Sequence, residues 1–397
     1  MSFANNEANG RSTLIVGGGV FGLTAALELR RRGWRVQLVD PQPAPRTLAA
    51  STDISKVVRP DYGPDEIYVE MAEAAIAGWR EWNARWKVEL YHEDGFLLLS
   101  RDPMHPGSFE YESFSLLRRR GHILERLDPA SRVERFPAWT PASYPDGYLN
   151  PSAGWAESGR VVEHLAVEAK STGVELLDGI RFARLFERGS RVVGIVTDDG
   201  REMRADIVLL AAGAWTSALL PDLGRVMWSS GQPVIHVRVD DPARWRAPAF
   251  PVWAADIART GWYGFPALAD GTLKIGNHGP GRRVHPDEPR TVLPSEVARF
   301  RTFLAESLPA LADAPIVASR LCLYSDTYDG NFWIDHHPDR SGLVVAAGDS
   351  GHAFKFAPVL GALIADVVER RSNPWAVMCR WRERLRDSKE AARALEA

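Results

Sequence analysis

Apolar positions in the first forty residues follow a strand, helix, strand order. Ser12 to Val16 is a short apolar run that predicts a strand, and Leu23 to Arg32 carries Ala and Leu at helical spacing. Gly33 supplies the helix end, and Val36 to Val39 is a second apolar strand closed by Asp40. Between the first strand and the helix stands Gly17-Gly-Gly19-Val-Phe-Gly22. In a βαβ unit the first glycine makes the turn, the second lets a pyrophosphate approach the backbone, and the third lets helix and strand pack closely. Asp40 stands where a carboxylate accepts the adenosine ribose hydroxyl. A dinucleotide site on Gly17, Gly19, Gly22 and Asp40 is therefore expected.

The same periodicity recurs far downstream. Asp206 to Leu210 predicts a strand ending in the small-residue turn Ala211-Ala-Gly213-Ala-Trp215, where a second segment can pass close to the cofactor. The run Gly342 to Ala347 predicts a fully buried strand, Gly348 and Gly351 a tight turn, and Phe356 to Arg371 a helix. A helix start offers free N–H groups and a positive dipole end, which suits the anionic N1/C2=O edge of a reduced flavin. An NAD domain needs no such late returns, whereas two-dinucleotide-binding FAD folds are assembled from distant segments. FAD is the expected cofactor.

Elsewhere, Ile67 to Trp86 predicts a helix with Trp79, Trp82 and Trp86 on one side, read as a core face. Pro233 to Val239, Gly261 to Pro266 and Gly271 to Gly276 predict strands, with a helix over Ser295 to Leu308; together they suggest an antiparallel sheet roofing the flavin. Trp375 to Ala397, with alternating charges, predicts a solvated surface helix. The expected fold is α/β: a discontinuous Rossmann-like FAD domain of the two-dinucleotide-binding type (1–85, 150–222 and 325–375), a substrate domain with a mainly antiparallel sheet (86–149 and 223–324), and the C-terminal helix (376–397).

Composition narrows the class. Of 397 residues 45% are apolar and 25% charged, values of a soluble globular chain long enough for two to three domains. Residues 1–11 lack a signal-peptide pattern and no run of about 18 apolar residues occurs, so a cytoplasmic protein without membrane contact is expected. Lys+Arg 48 against Asp+Glu 51 leaves no basic excess for nucleic acid. With two cysteines, Cys322 and Cys379, a disulfide framework is excluded. A monomer or small homo-oligomer is expected. Asp335-His336-His337 lacks a metal-binding frame, so no metal is expected.

Several separated blocks carry a family resemblance. Cys322-Leu-Tyr324, Gly261-Trp-Tyr263-Gly-Phe-Pro266, Leu273-Lys274-Ile-Gly276-Asn-His278 and Ser350-Gly-His352-Ala-Phe-Lys355-Phe resemble the monomeric sarcosine oxidase family of flavoprotein amine oxidases. Asp53-Ile-Ser-Lys56-Val-Val-Arg59, Gly147-Tyr-Leu-Asn-Pro-Ser-Ala-Gly-Trp-Ala-Glu157 and Asp326-Thr-Tyr-Asp-Gly-Asn-Phe-Trp333 resemble the related fructosyl amino acid oxidases (amadoriases) and pipecolate or saccharopine oxidases. The resemblance runs from Ser12 to Arg370.

It implies roles residue by residue. Cys322 takes the position of a thioether to the flavin 8α-methyl carbon. Lys274, at a strand end, matches the lysine that faces flavin C4a/N5 through a water, where a fixed cation stabilises superoxide. Arg59 and Lys355 match the pair that holds a substrate carboxylate. Lys56 stands beside the cofactor where sarcosine oxidases have arginine, as in the amadoriase-like pattern. His352 is expected to hydrogen-bond near the flavin pyrimidine edge, Tyr263 and Tyr324 to line the pocket, and His278 is a weaker candidate. Asp349 departs from both patterns without a physical account. Trp228, Trp253, Trp262 and Trp333 are candidates for a pocket wall, with core packing as the blander reading. The implied activity is oxidation of a secondary amine, an N-substituted or cyclic amino acid, to imine and H2O2, with O2 as partner; the alternative is an FAD-dependent dehydrogenase with another acceptor.

Overall fold

The computed structural model describes residues 10–383 and Arg393. Its centre is a six-stranded sheet in the spatial order Trp333–His336, Leu343–Ala347, Ile207–Leu210, Ser12–Val16, Arg35–Asp40, Glu175–Asp178. The inner pairs are parallel and the outermost pair, between Trp333–His336 and Leu343–Ala347, is antiparallel. Ser12–Val16 and Leu343–Ala347 are buried at every position, which is why they read as continuous apolar runs without alternation. The helices Val20–Arg31, Glu66–Trp86, Ser158–Ser171 and Ala357–Val368 cover one face through Leu23, Trp79, Leu165 and Leu363. On the other face Leu14, Val208 and Val345 pack on Val192 and Ile195 of a three-stranded antiparallel sheet.

A second, larger sheet stands beside this core. Its long strands Met227–Arg238 and Ile316–Thr327 pair antiparallel, and Thr272–Asn277, Trp262–Gly264, Val252–Ala255, Phe96–Ser100 and Asp146–Asn150 continue it in that order. The helix Pro294–Ser307 closes its outer face, where Trp262 stacks on Phe303 at 4.1 Å and Trp253 on Phe303 at 5.8 Å.

Expected and observed elements agree in kind, with shifts that have local causes. The first helix begins at Val20, so Gly22 lies inside it rather than before it. The downstream helix starts as a 3-10 turn, Ala353–Phe356, and becomes α-helical at Ala357, with Pro358 in its first turn. Lys274 lies within Thr272–Asn277 and not at a strand end. Trp79 and Trp82 are buried in the core as expected. Of the four candidate wall tryptophans, Trp262 and Trp333 are core, Trp228 lies under Arg283, and Trp253, also in the core, borders the cavity described below. The expected helix 376–397 lies largely outside the described residues. Within them a helix spans Ala376–Cys379, and Arg393, expected on a solvated face, is instead packed inward. No helix among the described residues is long and apolar enough to cross a membrane.

Candidate active site

One cleft runs from Gly17 and Gly19 past Asp40 and Ala211 to Trp215, and ends at Tyr324, Asp349 and Gly351. No side chain caps the helix Val20–Arg31 at Gly19 and its first turn holds no acid, so its amide end is left for an anion. Gly22 is required by packing, because a Cβ there would lie 1.9 Å from Gly17 O. Asp40 Oδ2 accepts the Gly18 N–H at 2.8 Å, which locks the loop while the carboxylate stays on the cleft wall. Gly213 lines the cleft beside Trp215, on which Arg46 stacks at 4.1 Å. Gly348 packs against Thr327 and Trp333 at the sheet end. Gly351, at φ 78°, lies under the Tyr324 ring, where a Cβ would meet a ring carbon at 2.2 Å. A glycine-rich amide end followed by a carboxylate fits the phosphates and ribose of FAD.

Asp349 now has a structural account. Its Oδ1 accepts the Ser325 N–H at 2.7 Å and ties the turn of Gly348 and Gly351 to Ile316–Thr327, while desolvation pushes its carboxyl up to about 6. Cys322, a free thiol on the same strand, packs with Val234, Tyr324 and Ala50, and the last two line the cleft.

A second cavity, of about 450 Å³, shares Lys56, Tyr324, Gly351 and Phe354 with this cleft. Arg59, Lys355, Tyr263, His278 and His352 border it. Tyr62, Phe96 and Phe109 surround the Arg59 guanidinium at 5.5, 5.5 and 5.8 Å. Its Nη1 is buried without a hydrogen-bond partner among the described residues. Beneath it Asp61 is fully buried, accepts the Tyr148 hydroxyl at 2.5 Å, and has its carboxyl pushed up by burial despite the Arg59 charge.

Lys355 Nζ donates to Tyr62 Oη at 2.8 Å, and Tyr62 Oη lies 3.0 Å from His352 Nδ1. His352 Nε2 is 3.0 Å from the Gly330 carbonyl, which can only accept; Nε2 therefore carries the proton and Nδ1 accepts from Tyr62. Burial, and then Lys355, push this imidazole down to about 3, so it is neutral. Both ring nitrogens are engaged by protein groups. His278 is likewise held neutral, chiefly by burial and then by Arg393. Burial pushes the Tyr263 and Tyr324 hydroxyls up.

Lys274 is placed differently from the rest. Its Nζ lies 2.6 Å from Asp53 Oδ2, donates to Ser55 O at 2.6 Å, and borders neither cleft; Lys56 is the lysine that borders both. Sequence reasoning missed Tyr62, Asp61, Asp53 and Arg393. Asp53 stands in the stretch Asp53 to Arg59 that carries the amadoriase resemblance and Tyr62 three residues past Arg59, while Arg393 gave no local signal. No metal-holding group of three or more acids, histidines or cysteines exists among the described residues, and His336 and His337 bond Val367 O and Asp222.

Comparison with known proteins decides the class. A family model described as FAD dependent oxidoreductase, DAO, matches residues 12–367. The chain belongs to this family. Within it the chain is 31% identical to L-saccharopine oxidase of Schizosaccharomyces pombe, over 94% of this chain and 93% of that protein. It is 26% identical to monomeric sarcosine oxidase of a Bacillus species, over 89% and 91%. Among solved structures, the fructosamine oxidase Amadoriase II of Aspergillus fumigatus superimposes with a TM-score of 0.79 at 28% identity, covering 94% of this chain and 89% of that one. The α/β architecture is that of the DAO family, and the glycine-lined cleft is the place in it that fits FAD.

Proposed function

We propose that this flavoenzyme oxidises secondary amines, N-substituted or cyclic α-amino acids, to imine with O2 as acceptor and H2O2 as product. The observation that carries the reading is Arg59, whose buried Nη1 has no hydrogen-bond partner among the described residues within a ring of aromatics, in a cavity that also holds Lys355 and adjoins the FAD cleft. A buried guanidinium with an unused donor recognises a carboxylate. The names of the relatives, a saccharopine oxidase and a sarcosine oxidase, favour an amino acid nitrogen as the reacting centre. FAD, when bound, supplies an acceptor for the hydride equivalent leaving the carbon next to nitrogen and passes the electrons on.

The chain's own residues bind and orient. Arg59 and Lys355 fix the carboxylate and with it the C–H that faces the cofactor. Tyr62 passes the Lys355 hydrogen bond to neutral His352, which fixes the position of the ammonium. Tyr263 and Tyr324 wall the reacting carbon. Cys322 is assigned the covalent flavin link and Lys274 the cation that favours O2. The segments 1–85, 150–222 and 325–375 form the cofactor unit, and 86–149 with 223–324 the substrate unit. The dehydrogenase alternative draws on one observation: Asp53 compensates the Lys274 charge. A peroxide assay over sarcosine, bulkier N-alkyl and N-glycosyl amino acids, cyclic imino acids and carboxylate-free amines tests the proposal. Peroxide from acids and not from their carboxylate-free counterparts supports it; flavin reduction without peroxide selects the dehydrogenase.

A further inference from the structure

We propose that Asp61 is a positioning residue of the substrate cavity: rooted in the sheet by Tyr148 and Asn150, it fixes the loop that presents Arg59 and Tyr62 to the substrate carboxylate. The inference rests on the functional reading above and concerns a buried acid which that reading leaves unused. Asp61 is 0% exposed and lines neither the cofactor cleft nor the substrate cavity. A carboxyl in such surroundings is costly unless its oxygens are hydrogen-bonded. Both are: Oδ1 accepts the Tyr148 hydroxyl at 2.5 Å, and Oδ2 accepts the Asn150 side-chain N–H at 3.3 Å. Tyr148 and Asn150 are themselves fully buried, and as alternate residues of the strand Asp146–Asn150 they face the same side of the sheet.

The loop in question, residues 59–65, joins the strand Lys56–Val58 to the helix Glu66–Trp86 without regular structure of its own. Arg59 and Tyr62 border the cavity, whereas Asp61, which stands between them, turns to the sheet. The ends of the loop are held separately. Lys56–Val58 pairs with Gly154–Ala156, the Gly63 N–H donates to Ser113 Oγ at 2.7 Å, and Asp65 accepts the Tyr68 N–H at the helix start. Phe96, whose ring lies 5.5 Å from the Arg59 guanidinium, is paired in register with Asn150, so acid and guanidinium rest on the same two strands. Burial pushes the Asp61 carboxyl up, and Arg59 is the first charge to oppose it. On the other side of Asp61, Tyr62 Oη accepts from Lys355 Nζ. A shift of this loop thus disturbs both cations that hold the carboxylate, and a misplacement of about 1 Å costs on the order of 100-fold. Charge alone predicts the opposite: removing a negative group near Arg59 leaves more of its field for a ligand carboxylate and tightens binding. The sign of the change separates position from charge.

The test is binding to the FAD-loaded protein, followed by calorimetry and by the flavin absorbance change. The probes are hexanoate and hexanamide, which match in shape and differ in charge. The parent protein should prefer the acid. Asp61→Ala should lower that preference about ten-fold or more, with the affinity for hexanamide near that of the parent. Asp61→Asn keeps an acceptor for Tyr148 and should retain the preference, although it removes the same charge. A preference unchanged or increased in Asp61→Ala, or an equal loss of hexanamide binding, overturns the assignment. So does a preference in Asp61→Asn as low as that in Asp61→Ala. Should Asp61→Ala not fold, Tyr148→Phe, which removes one of the two hydrogen bonds, decides in its place: an unchanged preference there overturns the assignment. A parent protein that does not prefer the acid overturns the carboxylate reading of Arg59 and this assignment with it. A peroxide panel negative for every amino acid, with the binding ratios as expected, overturns the proposed reaction and supports the role of Asp61.

Discussion

Lys274 and Asp53 form an ion pair closed off from solvent, 2.6 Å apart with side chains 1% and 2% exposed. Burial pushes the lysine down to about 8, and the aspartate opposes that shift; the carboxyl itself is held well below its ordinary range, most strongly by the lysine. The ammonium is therefore present below pH 8 and lost as pH rises through it. Reoxidation of the reduced enzyme by O2, followed by stopped flow, should fall above that point. Asp53→Asn should move the inflection to lower pH, because the lysine loses the charge that keeps it protonated. Lys274→Met should slow reoxidation by orders of magnitude and leave reduction by substrate nearly intact. Unchanged reoxidation would remove Lys274 from this role.

Arg59→Ala removes a charge-assisted contact and should cost about 2 to 3 kcal/mol of substrate binding, roughly 30- to 150-fold in KM. The loss should be confined to substrates with a carboxylate. Equal losses for carboxylate-free amines would show that the variant damages the cavity and not the recognition.

Cys322 as the flavin link predicts that acid-precipitated protein stays yellow and that its intact mass exceeds the apoprotein by one FAD. Cys322→Ser should release all flavin into the supernatant. Free flavin from the unmodified protein would refute the link.

Asp349 places a carboxylate that titrates near 6 on the wall of the cofactor cleft. A negative charge there opposes adding electrons to the flavin, so Asp349→Asn should raise its midpoint potential. Above pH 6 the difference should be full; below it, where the parent carboxyl is protonated, the two potentials should converge. Potentials that run parallel across that range would contradict the assignment.

The cofactor half of the site was more legible in the sequence than the substrate half. Gly17 to Gly22 and Asp40 act within one βαβ unit, so their spacing along the chain is their spacing in space. The buried parallel strands announce themselves as unbroken apolar runs for the same local reason. Lys274 and Asp53, by contrast, are 221 positions apart in the chain and meet only because the two sheets come together, as do Lys355 and Tyr62. Nothing in the neighbours of Lys274 distinguishes a paired, sealed ammonium from a free one. Asp349 was visible as an oddity and explicable only by Ser325, whose N–H it accepts. In the charged tail, alternating charge gave no sign that Arg393 would be turned inward to Asp326.

The six-stranded sheet draws its strands from three remote stretches, and that order has a consequence for biosynthesis. The glycines Gly17 to Gly22 leave the ribosome first, but Ser12–Val16 needs Ile207–Leu210 beside it, and that strand in turn needs Leu343–Ala347. Contacts of such long sequence separation form late. Capture of the flavin is thus an event of the nearly complete polypeptide, and a gene fragment ending before Leu343 would encode the glycine motif without a place to keep the cofactor.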